Sequence, residues 1–277
     1  TDQVFEFEWQ DHFADARNYS LDQATGEWII VLDADDVIEP AHWHEIRLLV
    51  AETGRDAFSL TQYNYSVEPM DKNWVPIPEK TIYTRHYKGY RPNPIARLFR
   101  NREDIRYLGR VHEIIDRTLQ DQKLGILDIP IHHHMDEDPA KMVVDRQLNY
   151  LRIIEQGLDE EKDGRLWMAA GSIYMYYLQD LPKAMNYLQR AVELGHKVHE
   201  NREMIAEGLY RLGDLDSAYA AYFNLYGDGY RSVNLGINLA NLAVKRAEVS
   251  FAVNLLEEVV KLGIRDSDVR IRLDHNI

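Results

Sequence analysis

Cysteine is absent from the 277-residue sequence, which excludes disulfides and thiolate metal sites and suits a reducing compartment. No apolar run approaches the roughly 20 residues that span a bilayer, so no membrane span is expected. Thr1-Asp2-Gln3 does not resemble a secretory leader, and a cytoplasmic location is the expectation. Positive charge is scarce, with 32 Lys and Arg against 46 Asp and Glu and a formal net charge of -14. Affinity for nucleic acid or an anionic membrane comes from Lys and Arg neutralising phosphates, so neither is expected as a partner. Any phosphate bound here needs a local device such as a metal ion. What the chain does contain, 45% apolar and 28% charged residues, is ordinary for a globular protein, and its length suits two domains.

The pattern of the first half alternates helix and strand. Phe13, Ala16, Leu21 and Ala24 recur at helical spacing with Asp11 as N-cap, which predicts an amphipathic helix over 11–24. Gly26 ends it, and Trp28-Ile29-Ile30-Val31-Leu32 reads as a strand buried on both faces. A second helix is predicted from Pro40 to Glu52 and a second strand over Ala57 to Val67, which together imply an α/β sheet. Val4 to Trp9 also reads as a strand. Five prolines between Glu68 and Pro94 predict an irregular loop with a strand pair. Ile95 to Phe99 and Tyr107 to Ile115 read as strands around a turn. Asp138-Pro139 is a helix-start signal for a helix to about Gln156.

The second half repeats. Ala184, Ala218 and Ala252 lie 34 residues apart, as do Leu188, Tyr222 and Leu256, then Gly195, Gly229 and Gly263, and Leu181, Leu215 and Val249. A 34-residue period with small, large and Gly positions in fixed phase is the mark of the tetratricopeptide repeat. Trp167, Gly171 and Tyr174 supply the first-helix pattern. An α-solenoid of about three repeats is expected.

Three groups of residues could carry chemistry. Asp33, Asp35 and Asp36 follow a buried strand, where open α/β sheets place their ligand sites. Carboxylates spaced this way can hold Mg²⁺ or Mn²⁺, which neutralises a diphosphate. A solvated acidic turn is the alternative. The second group is Ile95-Ala96-Arg97-Leu98-Phe99-Arg100-Asn101 with Gly109-Arg110-Val111-His112-Glu113, and the third is His132-His133-His134. On a strand, His132 and His134 share one face and His133 takes the other. The tyrosines between Tyr83 and Tyr90 either stack on an acceptor or pack the sheet edge.

Asp15-Ala16-Arg17-Asn18, then Ala24-Thr25-Gly26-Glu27-Trp28-Ile29 and Asp33-Ala34-Asp35-Asp36, resemble the A-R-N, A-x-G-[DE]-W-[IL] and D-A-D-[DE] elements of family 2 glycosyltransferases of the GT-A fold. The resemblance is to the branch that carries C-terminal tetratricopeptide repeats. The Arg97 and His112-Glu113 stretches are similar to R-L-F-[RK]-N and G-x-[VI]-H-E of the same branch.

The resemblance implies an α/β plus all-α chain. A partial GT-A sheet domain spans 1–136, a connecting helix 137–164 and the repeat domain 165–277. It further implies an inverting, metal-dependent transfer from a nucleotide-sugar donor, UDP-linked, to a peptide, protein or glycan acceptor. A protein partner in the repeat groove is also expected. Donor binding falls to Arg17, Asn18, Asp33, Asp35, Asp36 and Arg97. Metal binding falls to Asp35 and Asp33 with a histidine of the triplet, His132 and His134 being the candidates carried, without a choice among them; a loop of exposed histidines is the alternative. An inverting transfer needs a carboxylate to take the acceptor's proton, and Glu113 is assigned that role, with His112 orienting it or touching the donor. An ion pair between Glu113 and Arg97, Arg100 or Arg110 is the competing expectation.

The sequence departs from the family in one respect. The [VL]-D-[TS]-G-S-x-D-x-[TS] segment of the base-binding unit has no match, which leaves about 50 or 60 residues of such a unit unaccounted for. A non-catalytic tetratricopeptide scaffold with a vestigial transferase domain therefore stands as the alternative. A metal-dependent hydrolase using Asp33, Asp35, His132 and His134 is a third.

Overall fold

A computed structural model describes residues 3–67, 73–84, 86–119, 123–134 and 140–262. The chain divides into two units, Thr1–Pro139 and Ala140–Ile277.

The first unit is a mixed sheet with a helix against each face. Its strands are β1 (Trp28–Ile30), β2 (Asp36–Val37), β3 (Ala57–Ser66), β4 (Val75–Pro76), β5 (Gly89–Arg100) and β6 (Leu124–His133), in the order β1-β5-β3-β6-β2, with β4 paired to β5. Only β3 and β6 pair in parallel; every other described pairing is antiparallel. Alternation along β3 splits the core. Ala57 joins Ala96, Phe99 and Tyr107 under α1 (Phe13–Asp22), and Phe58 and Leu60 join Ile129 and Ile131 under α2 (His42–Glu52). Ile29 packs on the first side and Trp28 and Ile30 on the second, as expected of a strand buried on both faces.

Several local expectations need correction. The N-cap of α1 is His12, whose Nδ1 accepts from the Asp15 N–H at 3.2 Å. Asp11 is left-handed, with φ 55°, and its carboxylate instead accepts from the Trp9 indole. Val4–Trp9 forms no strand. The strand pair expected between Glu68 and Pro94 is β4 with the start of β5, which begins at Gly89 and runs on through Pro92 and Pro94. Pro92 and Pro94 sit where β3 pairs with one side of β5 and neither β1 nor β4 reaches the other, so their missing N–H groups break no ladder bond. Tyr107–Ile115 is a turn closed by one bridge, Leu108 to Ile114, because Gly109 (φ 106°) and His112 (φ 54°) both leave the extended region. The Asp138-Pro139 helix start lies outside the described residues.

Among its described residues the second unit carries helices and no strand. A 22-residue helix, α3 (Ala140–Glu161), precedes three pairs. These are α4 (Gly164–Ile173) with α5 (Leu181–Glu193), α6 (Val198–Arg211) with α7 (Leu215–Gly227), and α8 (Val233–Lys245) with α9 (Val249–Lys261). Ala184, Ala218 and Ala252 are all buried at the helix crossings, as the period requires. The period also fixes the backbone of the turn inside each pair. Gln179, Gly213 and Ala247, again 34 apart, are all left-handed (φ 56°, 83° and 62°), and Asp180, Asp214 and Glu248 follow as helix N-caps. Only the middle turn uses glycine, which adopts this conformation without a Cβ clash. Ala247→Gly is therefore expected to stabilise the protein by about 1 kcal/mol, read as a higher urea midpoint with an unchanged slope. No described helix is long and apolar enough to cross a membrane.

Candidate active site

The acidic cluster is shaped by the end of β1. The Val31 N–H donates to the Arg97 carbonyl at 2.9 Å, and the chain then turns so that Asp36 N–H donates to the Asp33 carbonyl at 3.0 Å. In return the Asp33 N–H donates to Asp36 Oδ2 at 3.1 Å. Asp36 opens β2 directly opposite His133 on β6, which brings His133 Nδ1 within 3.0 Å of Asp36 Oδ1. Gln62 on β3 donates to the same oxygen at 3.0 Å. The Asp36 side chain is fully buried, whereas that of Asp35 is 50% exposed. One ligand atom each from Asp35, Asp36 and His133 fits within 4.8 Å, a group that could hold a metal ion.

A second group adjoins the first. Asp33 is held between two arginines, Arg17 Nη1 at 2.9 Å and Arg97 Nη2 at 2.8 Å. Arg97 Nη2 also lies 3.5 Å from Asp36. The Arg17 Nε–H donates to Glu113, and its guanidinium lies over the Tyr107 ring at 5.3 Å. The left-handed His112 turns the chain so that Glu113 points inward to Arg17 while His112 itself is exposed. A single hydrogen-bonded chain thus runs from Glu113 through Arg17, Asp33 and Asp36 to His133, with Asp35 at its open end.

The charges of this chain are fixed by its partners. Burial alone would raise the Asp33 carboxyl, but hydrogen bonding from Arg17 and the charge of Arg97 outweigh it and hold it below the ordinary carboxylate value. Burial opposes ionisation of Asp36 likewise, and the hydrogen bonds from His133, the Asp33 amide and Gln62 bring it down. The bond to Asp36 raises His133 above its ordinary 6.5, against burial. A metal ion must displace that proton. If the group holds Mn²⁺, its affinity is expected to fall about tenfold per pH unit once pH drops below the raised His133 value, measurable by calorimetry at pH 8, 7 and 6.

The structure places other predicted residues elsewhere. Asn18 ties the turn in place: its Nδ2 donates to the Tyr107 carbonyl at 3.0 Å and its Oδ1 accepts from the Tyr107 N–H at 2.9 Å. The side chains of His132 and His134, the histidines carried as metal candidates, have other partners, although the His134 N–H donates to the Asp35 carbonyl at 3.1 Å. His132 is buried between the Tyr65 hydroxyl (2.7 Å) and Glu39 (3.2 Å) with Tyr83 stacked on it at 4.5 Å, and burial pushes its ring below the ordinary value. His134 Nε2 meets the Tyr83 carbonyl at 3.0 Å. The tyrosines of this region pack mainly on one another and on these two histidines, as with Tyr63 on Tyr90 at 4.1 Å. Asp33 is occupied by arginines. Sequence reasoning passed over Gln62, although a signal existed: it takes the inward position two residues after Leu60, in phase with Phe58 and Leu60.

Residues 3–107 match the family model described as glycosyl transferase family 2. The chain is 26% identical over 272 residues to a TPR repeat-containing protein of Synechococcus elongatus, covering 91% of this chain and 62% of that protein. It is 22% identical over 200 residues to the SPbeta prophage-derived glycosyltransferase SunS of Bacillus subtilis, covering 71% of this chain and 43% of that protein. The chain thus spans less than two thirds of the length of either curated relative. Among solved structures, S. aureus TarS 1-349 overlaps 78% of this chain and 68% of its own at a TM-score of 0.36 and 13% identity.

Proposed function

We propose that this chain, whose residues 3–107 are a glycosyl transferase family 2 domain followed by tetratricopeptide-type helix pairs, is an inverting transferase that moves a sugar from a UDP-linked donor to an acceptor. The observation that carries the reading is the unbroken hydrogen-bonded chain from Glu113 to the Asp35–Asp36–His133 group. A carboxylate at one end and a cation-binding set at the other are the two parts that a single displacement at a sugar carbon needs.

Asp35, Asp36 and His133 would hold the divalent cation. Two hard carboxylates with one imidazole suit Mn²⁺ and also admit Mg²⁺. When bound, such an ion neutralises the charge that develops on the leaving diphosphate. Asp35, the most exposed of the three, is the ligand that meets solvent first. Glu113 would take the proton from the acceptor nucleophile. Arg17 and Arg97 fix Asp33, and Asn18 fixes the Tyr107 segment that carries Glu113. The acceptor is read as a peptide, protein or glycan, with the repeat unit as the surface that receives it.

Calorimetry on the full-length polypeptide tests this. UDP is expected to bind in the presence of Mn²⁺ and far more weakly without it, and Asp35→Ala to remove the metal-dependent part. Failure to bind UDP, or an Asp35→Ala profile identical to the parent, would refute the reading. The scaffold alternative draws on the similarity to a relative named for its TPR repeats, and it predicts an intact helical unit with no UDP binding at all.

A further inference from the structure

We propose that Arg17 is a positioning residue that keeps Glu113 engaged until a nucleoside diphosphate takes the guanidinium away. This inference rests on the sugar-nucleotide reading above.

The geometry points to Arg17 in particular. It divides its donors between two carboxylates 80 residues apart in sequence, Nη1 to Asp33 and Nε to Glu113. Its Nη2 makes no hydrogen bond among the described residues. Of the two arginines at the cluster, Arg97 has a side chain only 5% exposed, wedged against Asp33 and Asp36, whereas the Arg17 side chain is 27% exposed. An arriving phosphate can therefore reach Arg17 and not Arg97. Two buried donors beside the same cluster, Arg97 Nε and the Tyr107 hydroxyl, have no acceptor among the described residues. The present hydrogen bonding around Arg17 thus leaves polar groups unsatisfied that a rearrangement could pair.

The charge around Glu113 favours the exchange. Facing it are Arg17 from α1, the Tyr107 ring and hydroxyl from its own segment and, through Arg17, Asp33 and Arg97. A phosphate offers Arg17 two acceptor oxygens, which suit its planar fork better than one oxygen from each of two carboxylates. As Arg17 turns toward the phosphate, the Glu113 oxygen it held becomes free to accept a proton from the acceptor. Donor binding and base release are then one event, which orders the reaction with donor first.

Thermodynamic reciprocity supplies a test that does not need turnover. If a diphosphate must break the charged Arg17–Glu113 bond, weakening that bond by removing the Glu113 charge must help the diphosphate bind. Glu113→Gln is expected to bind UDP with Mg²⁺ about fivefold more tightly than the parent, the size of one partly exposed charge contact. A purely structural ion pair predicts equal or weaker binding. Losing a negative charge also helps an anion directly, so the measurement is completed as a cycle with Arg17→Met. In the Arg17→Met background the Glu113→Gln gain is expected to vanish. A gain that persists there, or no gain with Arg17 intact, would overturn the proposal. Should Arg17→Met not fold, Arg17→Lys serves in its place, with the gain expected to fall below about twofold because lysine has no second arm. Absence of UDP binding by the parent itself would instead remove the sugar-nucleotide reading, and that result is separable because it involves no variant.

Discussion

Replacing Glu113 by glutamine is expected to lower kcat for sugar transfer by about 10² to 10⁴-fold while leaving UDP bound. Glutamine keeps the shape of the side chain, and its carbonyl oxygen can still accept from the Arg17 Nε–H, so the Asp33–Arg17 pair and the turn at His112 should persist. What is lost is the capacity to hold a proton. The competing role, an ion pair that merely anchors the turn, makes the opposite division. Stability and donor binding would suffer, and turnover of the bound donor would change little. Steady-state kcat and KM with the donor varied, together with a urea melt, separate the two. A kcat within about threefold of the parent would sink the assignment of Glu113 as the base.

The partner of Glu113 illustrates what the sequence holds and what it does not. The acidic cluster, the strand before it and the helix carrying Arg17 were all legible because each is a local pattern: an apolar run, a 3.6-residue period, charges bunched after a strand. That Glu113 would meet Arg17, 96 residues distant, rather than the nearby Arg97, Arg100 or Arg110, depends on how α1 lies on the sheet, which no local pattern records. The histidine triplet shows the same limit differently. Alternation correctly divided His133 from His132 and His134, but which face carried the carboxylates was set by β2 pairing antiparallel to the end of β6. A two-residue strand leaves almost no periodic signal. Pro92 and Pro94 misled for a third reason: proline excludes a strand only where its N–H is needed, and an unpaired edge does not need it. In the helical unit the helix pairs were legible because small, large and Gly positions recur every 34 residues, whereas the left-handed turns at Gln179 and Ala247 were not, since side-chain identity alone argues against them.

Tyr222→Ala is expected to cost about 3 to 5 kcal/mol, the largest stability effect foreseen for the helical unit. Tyr222 is 0% exposed at the centre of the cluster formed by Ala206, Leu235, Leu239 and Ala243, and its hydroxyl accepts from Asn238 Nδ2 at 2.9 Å. Truncation would open a cavity the size of a ring between α6, α7 and α8 and leave the Asn238 amide with one acceptor fewer. The same column of the repeat supplies the control. Leu188 and Tyr222 are both 0% exposed, but Leu256, in phase with them, is 44% exposed because no described helix covers that side of α9. Leu256→Ala should therefore cost roughly 1 kcal/mol or less, although the sequence period treats the three positions alike. Tyr222→Leu, which places the residue of the first repeat in the second, should fall between them. Urea unfolding followed by far-UV circular dichroism gives all three values. A Leu256→Ala cost equal to that of Tyr222→Ala would mean that α9 is covered in solution, and the exposed apolar row Val249, Val253, Leu256 and Val260 would then be an interior surface.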